Sequence, residues 1–216
     1  MRRRVTFSRN VTLSLSRTCV SHCKYCAFAT HRPHLHAPDE VEALIDRAAR
    51  RNVKELLVLT GDDPGHHPGV RERLAALGFD DFVGYVAWAC ERALERGILP
   101  HTNLGALGRD DLARLREVTA SQGLMIESLR PDLVAHQASP TKDPALRLGT
   151  LRDRSARQIS LRDPRARSGC ALLRGGDRVG DHDHHLIVSF GRCEDAAGDA
   201  AGLPSRGSPG GSAAAR

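Results

Sequence analysis

The sequence predicts an α/β fold: about the first four βα units of a parallel (β/α) barrel over residues 5–150, followed over 151–216 by a low-complexity tail. Three observations predict it. From Val11 to about Leu148, short β-like runs alternate with helical ones across short connections, the pattern of a parallel sheet with crossover helices. Glu55–Thr60 (ELLVLT) is a nearly continuous apolar run ending at Gly61, the form of a buried parallel strand. Beyond about Thr150 the periodicity is lost, and from Gly202 the chain is rich in Gly, Ser, Ala and Pro; a disordered tail is expected there.

In order, Val11–Leu15 reads as the first strand. Pro38–Arg51 reads as a helix: Pro38 suits its first turn, Asp39 and Glu40 suit the positive end of its dipole, and Val41, Leu44, Ile45 and Ala48 recur at helical spacing. Glu55–Thr60 is the second strand. Val70–Leu77 and Asp81–Arg96 are helical, with Gly97 closing the latter as a C-cap. Ile98–Asn103 is the third strand. Arg109–Ser121 is a helix stopping before Gly123, and Leu124–Ser128 is the fourth strand.

A chain of 216 residues can bury a sizeable core, whereas a complete barrel typically needs about 250. The net charge of +6 is nearly all arginine and is spread along the chain, so no nucleic-acid partner is expected. No stretch approaches the roughly 18 apolar residues of a membrane span, and Val5–Leu15 is too polar for a signal-peptide core. A cytoplasmic location follows, where thiols stay reduced.

Three of the six cysteines, Cys19, Cys23 and Cys26, fall within eight residues as C-x3-C-x2-C, directly after the first strand. In a reducing compartment that clustering points to metal or cofactor chemistry. Three thiolates on one loop can hold three irons of a [4Fe-4S] cube. The fourth iron stays open to chelate the amino and carboxylate groups of S-adenosylmethionine (SAM). Cluster potentials reach roughly −700 mV, and the low end suits reductive cleavage of a sulfonium. Zinc is the competing reading; it normally takes four ligands, with His22, His31 or Cys90 available as the fourth. The aromatic Tyr25 before the third cysteine favours the cluster, since its ring can pack over adenine.

A second constellation ends the second strand: Gly61-Asp62-Asp63-Pro64 lies at the carboxyl end, where barrel enzymes place their sites. Gly61 permits close backbone approach, and Asp62 can accept hydrogen bonds from the SAM ammonium. Glu127 closes the fourth strand and is a candidate for SAM contact. His101 and Asn103 close the third and are candidates for substrate contact. No catalytic acid or base is assigned.

Several segments resemble one family. They are Tyr25-Cys26-Ala27-Phe28-Ala29, Leu59-Thr60-Gly61-Asp62-Asp63-Pro64, Leu74–Phe79, Leu99-Pro100-His101-Thr102-Asn103, Gly123-Leu124-Met125-Ile126-Glu127-Ser128 and Ser139-Pro140-Thr141-Lys142-Asp143-Pro144. Together they resemble the radical SAM subunit (CofG) of 7,8-didemethyl-8-hydroxy-5-deazariboflavin (FO) synthase over about residues 5–150. The resemblance implies a partial radical SAM barrel and a role in making the deazaflavin chromophore of coenzyme F-420. The enzyme class would be a carbon–nitrogen lyase: a hydroxybenzyl–ribityluracil adduct is cyclised with loss of ammonia. It implies as partners the companion FO synthase subunit (CofH), which supplies that adduct, and an electron donor such as flavodoxin or ferredoxin. Beyond about Thr150 the family's further strand–helix units have no counterpart, so the expectation is a truncated or frameshifted chain with little or no FO formation of its own.

Overall fold

The computed structural model describes residues 8–158 and 187–191, with side chains through Asp153. Four parallel strands stand in chain order: β1 (Asn10–Ser16), β2 (Glu55–Thr60), β3 (Leu99–Asn103) and β4 (Ser121–Met125). Helices α1 (Pro38–Arg50), α2 (Pro68–Ala76) and α3 (Phe82–Glu95) lie between the first three strands, and α4 (Arg109–Arg116) joins β3 to β4. A fifth helix, α5 (Pro144–Gln158), packs against α4.

The period-two pattern of the strands decides which side is dry. Leu13, Leu15, Leu56 and Val58 are buried and join Val41 and Ile45 of α1 and Tyr85, Val86 and Ala89 of α3 in one core. The alternate residues Thr12, Ser14, Leu57 and Leu59 stay exposed or half-buried on the other face, which His101 and Asn103 share by register. The helices start where the punctuation suggests. Pro38 has no amide to leave unpaired, and the Glu40 carboxylate accepts from the Ala37 amide at 2.8 Å. The Asp81 carboxylate caps α3 by accepting from the Gly84 amide at 2.6 Å.

Three differences from the expected elements bear on the site. Helix α4 ends at Arg116 and β4 starts at Ser121, so the fourth strand sits three residues earlier than expected. Gly123, read as a break, pairs with Asn103 inside the sheet. As a result Glu127 lies in the loop after β4, at a left-handed φ of 68°. The third difference is in the tail, where no folded element is expected. There Ile187–Gly191 forms β5, antiparallel to β4, in keeping with its β-branched and aromatic residues. Helix α5 likewise continues past the expected boundary at Thr150 to Gln158; Cys170, Cys193 and the remaining tail residues lie outside the described residues. Among the described residues no helix is long and apolar enough to cross a membrane.

Candidate functional site

The segment between β1 and α1 carries the cysteines, and backbone bonds fold it back on itself. Cys19 N–H donates to Thr30 O at 3.0 Å and Thr30 N–H to Arg17 O at 2.8 Å, a short parallel bridge that closes the loop around the three thiols. The Thr18 hydroxyl reinforces it, donating to Arg32 O and accepting from His34 N–H, each at 2.8 Å. The three thiols carry no disulfide; Cys19 and Cys23 are half-buried and Cys26 is exposed.

The loop is bound to the carboxyl end of β2. Val20 N–H donates to Asp62 O at 3.1 Å, and Asp62 N–H donates to Cys19 Sγ at 3.3 Å. Ser21 N–H gives the same sulfur a second bond at 3.4 Å. Burial raises the Cys19 thiol above its ordinary value, against the pull of these two amides. Gly61 makes the approach possible. A Cβ there would stand 2.1 Å from Thr18 O and 2.8 Å from Cys19 Cβ. A cavity of about 550 Å³ opens beside Cys19, lined among others by His22, His31, His66 and Arg71.

A third element, the loop before α5, completes the arrangement. Ser139 Oγ accepts from His22 N–H at 2.9 Å, Ser21 and Thr141 share a hydroxyl hydrogen bond at 2.5 Å, and Lys24 N–H donates to Ala135 O. Thr141 and Arg147 both donate to Asp62 Oδ2, at 2.5 and 2.6 Å. Lys142 stands between two carboxylates, 2.9 Å from Glu127 and 3.5 Å from Asp62. Glu127 also accepts from the Tyr25 hydroxyl at 3.1 Å, and that hydroxyl lies 2.8 Å from His136. Burial alone would raise the Glu127 carboxyl; the bond and charge of Lys142, with the Tyr25 hydroxyl, outweigh it and hold the carboxyl below its ordinary value.

The structure therefore brings Cys19, Cys23, Cys26, Tyr25, Gly61, Asp62 and Glu127 to one end of the sheet. Asn103 ends β3 toward the same side. His101 sits lower: its Nδ1 is 2.5 Å from Ser121 Oγ at the start of β4, beside a small cavity at the amino ends of the strands. Ser21, Ser139, Thr141, Lys142 and Arg147 have no assigned role in the sequence reading. For Ser139, Thr141 and Lys142 the local signal is the Ser139–Pro144 segment that carries the resemblance; no such signal marks Ser21 or Arg147.

The donor set fits a [4Fe-4S] cluster. Three soft sulfur ligands lie on one loop, and one sulfur already accepts two backbone amides, as a cluster thiolate does. Among the described residues no three His, Cys, Asp or Glu groups gather around a single ion; a cubane needs no such gathering, since each thiolate binds a different iron.

The Radical SAM superfamily model matches residues 13–160, spanning β1 through α5. The chain belongs to the radical SAM superfamily. A [4Fe-4S] cluster and SAM are accordingly its cofactors. Curated relatives include the 7,8-didemethyl-8-hydroxy-5-deazariboflavin synthase of Methanothermobacter thermautotrophicus, 38% identical over 202 residues, covering 86% of this chain and 62% of the relative. The proteins of the same name from Methanoculleus marisnigri and Methanosphaerula palustris are 43% identical over 149 residues and 41% over 162. Those matches cover 68% and 74% of this chain, and 45% and 48% of the relatives. The radical SAM chain thus spans roughly half the length of these relatives, and the first match runs past Thr150. Among solved structures, methylornithine synthase (PylB) superposes with a TM-score of 0.52 at 12% identity, covering 68% of this chain and 41% of that one, a likeness of fold.

Proposed function

We propose that this radical SAM chain belongs to an FO synthase, acting in deazaflavin formation for coenzyme F-420. Its substrate would be the hydroxybenzyl–ribityluracil adduct made by the companion subunit, cyclised with loss of ammonia in a carbon–nitrogen lyase reaction, with flavodoxin or ferredoxin as reductant. The observation that carries this reading is the three-thiol loop bound to Asp62 and to the Ser139–Lys142 segment, in a chain 38–43% identical to FO synthases.

In this reading Cys19, Cys23 and Cys26 hold the cluster. When bound, cluster and SAM supply a 5′-deoxyadenosyl radical that abstracts hydrogen from the substrate. The chain's own residues orient and exclude. The Asp62 and Ser21 amides fix the Cys19 sulfur, and hydrogen bonds to sulfur are one lever on cluster potential. Gly61 lets the strand end lie against the loop, and Asp62 and Glu127 offer carboxylates toward SAM. Tyr25, exposed above the loop, presents a ring for adenine and a hydroxyl already tied to Glu127. Asn103, at the carboxyl end of β3, offers a polar group to the ribityl chain, whereas His101 lies toward the opposite end of the sheet.

Anaerobic reconstitution with iron and sulfide, followed by dithionite and SAM, tests this reading. The expected product is 5′-deoxyadenosine, with little or no fluorescent deazaflavin even when the companion subunit's adduct is present, since the chain spans only 45–62% of the FO synthases it matches. A chain that binds no cluster and leaves SAM intact would overturn it.

A further inference from the structure

Arg147 is the most deeply buried charged side chain among the described residues, at 1% exposed. An arginine keeps its charge at any physiological pH, so burial this complete requires partners, and all of them belong to the site. Nη2 donates to Asp62 Oδ2 at 2.6 Å, Nε donates to Thr141 O at 2.8 Å, and Nη1 donates to Met125 O, the last residue of β4. One guanidinium therefore joins the carboxyl ends of β2 and β4 to the loop that holds Ser21 and His22. Asp62 in turn gives its amide to Cys19 Sγ and its carbonyl to Val20. Its other oxygen is confined by Gly105, where a Cβ would come within 2.4 Å of Oδ1.

We infer that Arg147 is a positioning residue of the SAM site, acting through Asp62: it fixes the Asp62 carboxylate and, with it, the backbone that holds Cys19. Its meaning for catalysis rests on the cluster-and-SAM reading above; its structural action does not. Three donors in a fixed fork do what a lysine's single ammonium cannot, so Arg147→Lys keeps the charge and loses the geometry.

The test starts with amide hydrogen exchange on the cofactor-free chain, comparing wild type with Arg147→Lys. Exchange at Val20 and Asp62 should rise about tenfold or more, the size expected when a bonded anchor is lost, while Leu56 and Val58 within β2 stay protected. Asp62→Asn, which weakens the same link from the other side, should raise the same amides and provides the answer if the lysine variant does not fold. In the reconstituted protein, the SAM-induced change in the reduced cluster's EPR spectrum should require roughly tenfold more SAM in Arg147→Lys. Combining both substitutions should add little to Asp62→Asn alone. Uniform loss of protection across the sheet, unchanged exchange at Val20 and Asp62, or additive losses of SAM affinity would each overturn the inference. If wild type binds no cluster or SAM, the functional reading fails, while the exchange data still decide whether Arg147 positions Asp62.

Discussion

The Asp62 amide donates to the Cys19 sulfur at 3.3 Å, across 43 positions of sequence. With the return bond from Val20 N–H to Asp62 O, it makes the cysteine loop and the end of β2 one mechanical unit. A change in either reaches the other.

Replacing Cys19, Cys23 or Cys26 with alanine should abolish the broad charge-transfer absorption and most bound iron after reconstitution, since two thiolates cannot hold the cube. Cys90→Ala should retain both. Cys90 is buried in the core face of α3, and burial pushes its thiol up to about 12. It should therefore resist alkylation in the native chain while the loop thiols react. Unchanged iron in Cys23→Ala would remove the loop from consideration.

Gly61→Ala should disable the site without a change of charge. The added methyl meets Thr18 O at 2.1 Å, a backbone atom that cannot swing aside. Overpacking of this kind costs about 1–3 kcal/mol, and the displacement falls on the cysteine loop. The expected outcome is a folded chain by circular dichroism with a strongly reduced iron content; full loading would show that the loop yields freely.

Asp62→Ala should be felt first as lost stability. It strands Arg147, 1% exposed, without its carboxylate, and breaking a buried pair by removing one partner costs roughly 3–5 kcal/mol. Urea unfolding of the cofactor-free protein measures it. A loss below about 1 kcal/mol, the level of an exposed pair, would mean that the guanidinium finds water instead.

Much of this arrangement was legible in the sequence because its signals are local. The cysteine spacing, the proline opening α1 and the glycine after α3 each act within a few residues. Glu127 was located only approximately, since Gly123 was read as a breaker, whereas its pairing with Asn103 depends on sheet register, which periodicity does not carry. Arg147 was invisible for a deeper reason. An arginine in a helical pattern reads as solvated, and what buries this one is a carboxylate 85 positions earlier. The strand Ile187–Gly191 carries β-branched and aromatic residues, but its partner β4 lies more than 60 positions earlier, and nothing local announces it.

Acidification should loosen the site through Glu127. Burial opposes its ionisation, yet Lys142 prevails and leaves the folded carboxyl below its ordinary value of about 4.5. A carboxyl depressed on folding contributes stability above its unfolded value and loses it as pH falls through the folded one. Stability of the wild type should therefore decline below about pH 4.5, and Glu127→Gln should remove part of that decline while lowering stability at neutral pH. Identical pH profiles of unfolding for the two proteins would show that the Lys142 pair contributes nothing measurable.

The edge of a sheet admits one neighbour. From Ser121 to Met125, β4 gives its outer hydrogen-bonding side to a strand running the opposite way, so the parallel series stops there by occupancy. Any other strand, from a second molecule or a longer relative of this chain, could join β4 only by displacing Ile187–Gly191. The same contact shields a row of amides and carbonyls that would otherwise template edge-to-edge association, so the short strand acts as a stopper whose removal leaves the sheet open to recruitment.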